Sequence, residues 1–183
     1  MTKICAFLAA GLEEVECLAV VDVLRRAGMD VTLVSAGESE KITGSHGITV
    51  LADRMFDTEF CRQADLLFLP GGMPGTTNLG AHKELCALLE EFDRTEGKRL
   101  AAICAAPTVL GRTGCLKGKK AACYPDCESE LGGGEYVRAA VVTDGNVTTA
   151  RGLGAALDLG LELVRIYQGE EAAKAMKEKI QYY

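Results

Sequence analysis

The sequence predicts an α/β layered sandwich with a mostly parallel central sheet. Short apolar runs of strand length alternate along the chain with longer segments of helical periodicity. The first three segments read strand, helix and strand, a unit that joins parallel strands through a right-handed crossover. A chain of 183 residues fits one domain, which we expect to span residues 1–183.

The first unit has clear boundaries. Lys3–Ala9 is an apolar run followed by Gly11, which suits a strand buried on both faces. Apolar residues recur at helical spacing over Glu13–Ala27, and Gly28 follows as a helix C-cap. Val31–Ala36 is apolar and β-branched, and it is therefore the second predicted strand.

The later elements continue this alternation. A glycine-bounded turn between residues 43 and 48 predicts a small hairpin, and Asp144-Gly145 predicts a second one. The hairpin strands are Lys41–Thr43 with Ile48–Leu51, and Val141–Thr143 with Val147–Ala150. The other strands are Asp65–Leu69 and Arg99–Ile103, and the other helices are Lys83–Asp93, a helix beginning at Pro107, Leu153–Tyr167 and Glu170–Ile180.

Composition argues against several classes of protein. Hydrophobic residues make up 48% of the chain and charged residues 25%, which suits a folded core and not disorder. The net charge is -6, and no basic run is longer than Lys119-Lys120, so nucleic acid is not an expected partner. No apolar run approaches the ~20 residues that span a bilayer, so a membrane is not expected either.

The eight cysteines favour a reducing compartment. Most of them lie in apolar periodic segments, where cysteine behaves as a small buried hydrophobe, and a chain of this size needs no disulfides. We therefore expect a cytoplasmic protein. Cys123 and Cys127 are spaced like zinc ligands, but a structural zinc site needs four ligands and no second pair is present. No metal or cofactor is expected.

Cys104 is the strongest candidate for a chemically active residue. It lies where a predicted strand passes abruptly into a helix, between small residues, as in a nucleophile elbow. A helix start is expected to lower the pKa of such a thiol from roughly 8.5 to about 3.5–7.5. Backbone N–H groups of Gly72 and Ala105 are candidate donors to a developing oxyanion. The alternatives are a buried structural thiol and an ordinary glycine turn.

Glu16 is the second candidate. It lies at the start of the first predicted helix with Glu13 and Glu14, and acidic residues are common there for electrostatic reasons alone. Glu16 differs because apolar residues follow it on a helix that should pack against the sheet. A carboxyl in such surroundings has a raised pKa and is able to donate a proton near neutral pH.

These segments together resemble the parkinsonism-associated deglycase family, within the wider DJ/ThiJ/PfpI superfamily. The resemblance covers nearly the whole chain and keeps the family's order of motifs. The matching segments are Gly11–Glu16, Val21–Gly28, Leu69–Gly72, Ala101–Thr108 and Thr149–Gly152.

The resemblance implies a flavodoxin-like three-layer sandwich and a homodimer built partly on the first helix. It implies that no cofactor is needed, and that the substrate is a small aldehyde or a glycated thiol or amine. By the same resemblance the reactive cysteine is Cys104, its partner carboxyl is Glu16, the backbone donors are Gly72 and Ala105, and Arg26 and Arg151 lie near the site and the dimer interface.

The chain departs from the family near the cysteine. Tyr124 stands where many relatives carry a histidine, and Ala105 where peptidase-like relatives place one. The only histidines are His82, expected at the surface, and His46, a candidate accessory group in the small hairpin. A Cys–His hydrolytic couple needs a base within hydrogen-bond reach, so peptidase and glutamine amidotransferase activities are disfavoured.

Three functions remain. The leading hypothesis is a glyoxalase or deglycase-like enzyme that acts on methylglyoxal or related α-oxoaldehyde adducts through a Cys104 hemithioacetal. The second is a redox-sensing or chaperone-like stress protein with an oxidisable Cys104. The third, a small-molecule enzyme of thiamine biosynthesis, rests on the resemblance alone.

Overall fold

The fold is built on one seven-stranded sheet, seen in a computed structural model that describes all 183 residues. The strands are β1 (Lys3–Leu8), β2 (Asp30–Ser35), β3 (Lys41–Thr43), β4 (Thr49–Leu51), β5 (Arg54–Met55), β6 (Leu66–Leu69), β7 (Arg99–Ile103), β8 (Lys120–Ala121), β9 (Glu135–Tyr136), β10 (Val141–Asp144) and β11 (Val147–Ala150).

Seven α-helices connect or flank these strands. They are α1 (Glu14–Arg26), α2 (Thr58–Arg62), α3 (Gly75–Ala81), α4 (Lys83–Arg94), α5 (Pro107–Arg112), α6 (Ala156–Gln168) and α7 (Glu170–Lys179), with 3₁₀ turns at Glu128–Glu130 and Leu153–Ala155. None of the helices has both the length and the apolar character needed to cross a bilayer.

The strand order confirms the predicted mostly parallel sheet. It runs β10-β11-β7-β6-β1-β2-β5, and only the β10–β11 pair is antiparallel. The predicted first unit is present, since β1 pairs in parallel with β2 on one side and with β6 on the other. The predicted small hairpin is also present, as the antiparallel pair β3–β4.

Each face of the sheet carries its own hydrophobic layer. Successive side chains of a strand point to opposite faces, so in β1 Ala6 packs with α1 and α6 while Phe7 packs with α4 on the other side. All five residues from Ile4 to Leu8 are buried. The three-layer, flavodoxin-like sandwich is thus confirmed, and its parallel strands read as a continuous apolar run because both faces are covered.

Several short elements carry no signal in the sequence. Helix α3 has the sequence Gly-Thr-Thr-Asn-Leu-Gly-Ala, whose residues are mostly weak helix formers, so it gives no periodic pattern. Helix α2 is five residues long and is capped by the Asp57 carboxylate, which accepts a hydrogen bond from the Phe60 N–H at 2.8 Å. The predicted helix Leu153–Tyr167 begins as a 3₁₀ turn and becomes α-helical at Ala156.

The loops that leave β1, β6, β7 and β11 converge at the carboxyl edge of the sheet, where ligands bind in folds of this kind. Two backbone hydrogen bonds join the first two loops: Glu13 N–H donates to Gly71 O at 2.8 Å, and Gly75 N–H donates to Gly11 O at 3.1 Å. The third loop begins at Cys104. The fold therefore brings the start of α1, the diglycine turn and Cys104 to one place.

Candidate active site

Cys104 lies on a strained turn between β7 and α5. Its N–H donates to Ala150 O at 2.9 Å, which continues the β7–β11 ladder, and its carbonyl accepts from Tyr124 N–H at 2.7 Å. The backbone then reverses with a φ of 64° at Cys104, in the left-handed region that side chains disfavour by roughly 1–2 kcal/mol. The predicted nucleophile-elbow geometry is confirmed, and it leaves the thiol half-buried.

Glu16 reaches this turn from the first turn of α1. Its side chain is buried, and its N–H donates to the Glu13 carboxylate at 2.6 Å, which caps the helix. Burial raises the pKa of Glu16 to about 7, as predicted. The Cys104 thiol and the N–H groups of Gly71 and Leu153 oppose that rise in pKa, while the Glu13 charge adds to it.

Gly71 shows how close the carboxyl and the cysteine are. A Cβ atom placed on Gly71 would overlap Oε2 of Glu16 and lie 2.5 Å from Cβ of Cys104. The carboxyl and the cysteine therefore border the same small space, which only a glycine leaves free. Oε2 of Glu16 is buried there without a hydrogen-bond partner of ordinary geometry. The sequence indicates the diglycine turn but gives no signal that its first glycine separates two reactive groups.

The prediction that the pKa of the Cys104 thiol is lowered is wrong. The pKa of Cys104 is raised to about 12, first by burial and then by the negative charge and hydrogen bonding of Glu16. Backbone N–H groups of Gly72 and Ala105 lower the pKa of Cys104, but they do not outweigh these three causes. The prediction rests on the helix start and on a protonated Glu16, and it omits the effect of the charged Glu16 carboxylate on the sulfur.

The two predicted backbone donors do lie at Cys104. Gly72 and Ala105 are the residues whose N–H groups favour a negative charge on the sulfur. Gly72 adopts a φ of 93°, and a Cβ atom on it would overlap the backbone nitrogen of Glu13, so this position requires glycine. The donors, the carboxyl and the thiol thus surround one centre.

A cavity of about 300 Å³ opens from this centre. Its wall presents mostly apolar surface, and an ion pair between Arg112 and Glu130, 2.7 Å from nitrogen to oxygen, stands at one side. The sequence gives no signal that the remaining residues of this wall border the same cavity as Cys104. They are Met73, Thr76, Thr77, Thr108, Arg112, Cys127 and Glu130.

Tyr124 and the segment after β11 complete the surroundings. The Tyr124 side chain lines the cavity and is half exposed, and its ring lies about 3.5 Å from the position of a Cβ atom built on Gly152. That same position is 3.8 Å from Oε1 of Glu16. Arg151 precedes this glycine and is exposed, so it lies at the edge of the site, and its backbone N–H donates to Ala140 O.

Arg26 does not belong to the site. It lies at the last residue of α1, ten residues after Glu16, which is about 15 Å along a helix that rises 1.5 Å per residue. Its guanidinium pairs with Asp22 at 2.5 Å on the surface. The helix that brings Glu16 to the cysteine therefore carries Arg26 away from it.

His46, the candidate accessory group of the hairpin, contacts the acidic start of α1. Its ring nitrogen Nδ1 lies 3.2 Å from the Glu14 carboxylate and 3.6 Å from that of Glu13, and its side chain is largely exposed. The Glu14 carboxylate also accepts from the N–H groups of His46 and Ile48, so this cluster ties the β3–β4 hairpin to α1. Glu13, Glu14 and His46 lie within 4.8 Å of one another as potential cation ligands.

A model of the DJ-1/PfpI family matches residues 2–166. The chain belongs to the DJ-1/PfpI family. Among similar DJ-1/PfpI proteins, Protein DJ-1 homolog B of Arabidopsis thaliana is 37% identical over 173 residues, 93% of this chain and 39% of the relative. Glutathione-independent glyoxalase DJ-1 of Schizosaccharomyces pombe is 29% identical over 173 residues, 90% of each chain.

The fold of this chain is shared over its whole length with a solved DJ-1 structure. The oxidized DJ-1 structure from Toxoplasma gondii superposes with a TM-score of 0.93 and 30% identity, and the match covers 100% of this chain and 99% of that one. This chain spans only about two fifths of the length of the Arabidopsis relatives, 39% of homolog B and 42% of homolog A.

Proposed function

We propose that the protein is a cofactor-independent glyoxalase that converts methylglyoxal or a related α-oxoaldehyde to a 2-hydroxy acid through Cys104. The observation that carries the proposal is the buried Glu16 carboxyl, with a pKa of about 7, beside a thiol on a strained turn. The fission yeast relative with the name glutathione-independent glyoxalase supports the same reaction.

The reaction begins when the thiolate adds to the aldehyde carbon and the aldehyde oxygen becomes an oxyanion. The N–H groups of Gly72 and Ala105 stabilise that charge until it takes up a proton. This step requires the arrangement in which Glu16 carries the proton and Cys104 is a thiolate. That arrangement is the minor one, because the pKa of Cys104 is higher than that of Glu16. A hemithioacetal results.

Glu16 then moves protons within the hemithioacetal. As a carboxylate it takes the hydrogen from the former aldehyde carbon, and as an acid it returns a proton to the neighbouring carbon, so that the ketone becomes an alcohol and the hemithioacetal a thioester. Water hydrolyses the thioester, which releases the 2-hydroxy acid and restores the thiol. The net reaction adds one water to the aldehyde and consumes no oxidant or reductant.

Substrates larger than methylglyoxal are part of the proposal. A cavity of about 300 Å³ has room for several groups beyond a three-carbon aldehyde, which leaves space for glyoxal adducts of thiols or amines. A deglycase-like activity would use the same attack at Cys104, and it would release the free thiol or amine together with the acid.

The test supplies purified protein with methylglyoxal in the absence of glutathione and measures lactate. We expect the C104S variant to lose at least about 10³-fold in kcat/KM, because the oxygen nucleophile is not activated at this position. C17S is the matched control, since Cys17 is a fully buried thiol on α1. If C104S is as active as the wild type, the mechanism is wrong.

A second candidate function is redox sensing by Cys104. The thiol is half-buried and opens on the cavity, and the Glu16 carboxyl beside it is able to donate a hydrogen bond to an oxidised sulfur. Intact-mass analysis after mild peroxide treatment tests this idea. A stable gain of two oxygens at Cys104 supports sensing, and indiscriminate oxidation of many cysteines contradicts it.

We also propose that the protein works as a homodimer that uses the start of α1. Large apolar side chains are exposed on and around that helix: Val15, Leu18, Ile48, Leu51 and Leu153. Exposed apolar patches of this kind often mark contact surfaces. Light scattering tests the proposal: the wild type should have the mass of two chains, and a V15E/L18E double variant that of one. A wild-type monomer would contradict it.

A further inference from the structure

Thr76 lies in the wall of the Cys104 cavity, one helical turn after the backbone donor Gly72. It is the second residue of α3, it is only 2% exposed, and it lines the cavity together with Cys104. Its N–H donates to Gly72 O at 2.8 Å. The turn whose N–H favours a negative charge on the sulfur is therefore tied directly to Thr76.

The hydroxyl of Thr76 has no hydrogen-bond partner within the protein. Oγ1 is buried, and no backbone or side-chain group pairs with it. A threonine on a helix commonly donates its hydroxyl to a carbonyl three or four residues earlier. Here Gly72 O accepts the Thr76 N–H and not the hydroxyl. Because an unpaired buried hydroxyl destabilises a fold, its presence beside the cavity requires an explanation.

Thr108 is the matching case in the same cavity, with its hydroxyl paired. It is 3% exposed and follows the other backbone donor, Ala105, by three residues. Its Oγ1 donates to Ala105 O at 2.8 Å. Both threonines thus pack beside a residue that donates to the sulfur, but only the Thr76 hydroxyl is left for a group inside the cavity.

The second oxygen of an α-oxoaldehyde is a suitable partner for this hydroxyl. In the proposed reaction the N–H groups of Gly72 and Ala105 hold the aldehyde oxygen. The ketone oxygen lies on the next carbon, and it gains negative charge when Glu16 removes the hydrogen from the carbon bound to sulfur. A hydroxyl donor stabilises that charge, whereas an aldehyde with a single oxygen has no such acceptor.

We propose that Thr76 is a substrate-binding residue whose hydroxyl donates a hydrogen bond to the 2-oxo oxygen, and that this contact selects α-oxoaldehydes over simple aldehydes. The inference rests on the proposed function. Thr76 keeps its own proton throughout. The hydrogen on the sulfur-bound carbon passes through Glu16 to the neighbouring carbon, and the proton of the former aldehyde hydroxyl passes to the ketone oxygen.

The first test compares T76S, which keeps the hydroxyl, with T76A, which removes it, since both lose the same methyl group. We expect kcat/KM for lactate formation from methylglyoxal to fall about 10²-fold in T76A but less than about 3-fold in T76S. The loss should lie mainly in kcat, because the ketone oxygen becomes charged only after the thiolate has added. If T76S loses as much as T76A, the methyl group matters and the inference is wrong.

A second measurement needs no turnover. An E16Q background lacks the group that moves protons, and reversible addition of methylglyoxal or acetaldehyde to Cys104 is followed there as a loss of thiolate absorbance. Relative to T76S, T76A should raise the dissociation constant of methylglyoxal about 10-fold and leave that of acetaldehyde unchanged. Equal changes for both aldehydes, or no addition of methylglyoxal at all, overturn the inference. Absence of lactate with the wild type overturns the proposed function instead.

Stability gives a third readout that separates Thr76 from Thr108. T76V keeps the shape of threonine without the unpaired hydroxyl, so its urea midpoint should equal or exceed that of the wild type. T108V loses a hydrogen bond that is made, so it should unfold at lower urea. A T76V midpoint as low as that of T108V would mean that the Thr76 hydroxyl is paired within the protein, which contradicts the proposal.

Discussion

Glu16 and Cys104 share a single proton over a wide range of pH. Below about pH 7 both groups are protonated, and the thiol by itself loses its proton only near pH 12. Between these limits the proton lies on the sulfur or on the carboxyl, and only the second arrangement provides a nucleophile. Activity should therefore rise with pH up to about 7 and then stay level, which a pH profile of kcat/KM checks.

The E16Q substitution separates the two roles of the carboxyl. It removes the negative charge and the hydrogen bond that raise the pKa of Cys104, so the thiol should ionise at lower pH than in the wild type. Activity should nevertheless fall by about 10²- to 10⁴-fold, because no group remains to move protons. Thiolate absorbance, measured as a difference from C104S, checks the titration. An unchanged midpoint would show that Glu16 does not control the sulfur.

Gly71 provides a purely steric test of the same pair. Its backbone is not in the left-handed region, so G71A adds no strain in φ, but the new methyl group would fill the space between the carboxyl and the cysteine. We expect kcat/KM to fall by about 100-fold, since small displacements at a reacting centre have effects of that size. G154A is the control, because nothing lies within 4 Å of its added Cβ. Equal losses in both variants would contradict this interpretation.

At the scale of elements, the start of α1 gives its acidic residues three different tasks. Glu13 caps the helix through the Glu16 N–H, Glu14 holds the β3–β4 hairpin, and Glu16 faces the cysteine. E13A should lower the free energy of unfolding by about 1 kcal/mol, whereas E13Q keeps an oxygen for the cap and should lose less. Denaturant unfolding of the two variants measures the difference. Equal losses would mean that the cap contributes nothing.

E13Q also has an electrostatic effect that a cap alone does not explain. The charge of Glu13 is one of the causes that raise the pKa of Glu16. Without it, the midpoint of the rise in kcat/KM should move to lower pH. A profile that keeps the wild-type midpoint would show that Glu13 acts on the site only by ordering the helix.

The elements differ in how well the sequence predicts them. Strands buried on both faces and long amphipathic helices carry strong periodic patterns, and β7 lies at its predicted limits, Arg99–Ile103. Helix α3 and the two-residue strand β5 depend on packing against distant parts of the chain, and no local pattern indicates them. Long, locally consistent elements are thus predictable, and short ones stabilised by tertiary contacts are not.

Features of the site also differ in how well the sequence predicts them. The turn at Cys104 is predictable because its strand, small residues and proline are adjacent in the sequence. The raised pKa of Cys104 is not, because it depends on a carboxylate 88 positions earlier that only the fold brings near. The resemblance also implies that Arg26 lies near the site, but within one chain ten residues of helix separate it from Glu16.

For the whole molecule, Glu14 and Glu16 give opposite dependences of stability on pH. Burial raises the pKa of Glu14, but hydrogen bonds from its own N–H and from those of His46 and Ile48 outweigh burial, and the net pKa is lowered. Its contribution to stability is present at neutral pH and is lost as the pH falls through that lowered pKa. E14Q should therefore be less stable than the wild type at pH 7, and the difference should shrink in acid.

Glu16 makes the stability depend on pH with the opposite sign. Its pKa is about 7 in the folded protein, against an ordinary value of 4.5 that applies to the unfolded chain, so the native state binds more protons in this range and stability falls as the pH rises from about 4 to about 8. E16Q removes that dependence, so its free energy of unfolding relative to wild type should grow by about 3 kcal/mol over the same range. Urea unfolding at about pH 4, 6 and 8 measures this change, with E14Q as a control of opposite sign. A difference between E16Q and wild type that stays constant with pH would mean that the buried carboxyl is already ionised at no cost, and the proton needed at Cys104 would have to come from another group.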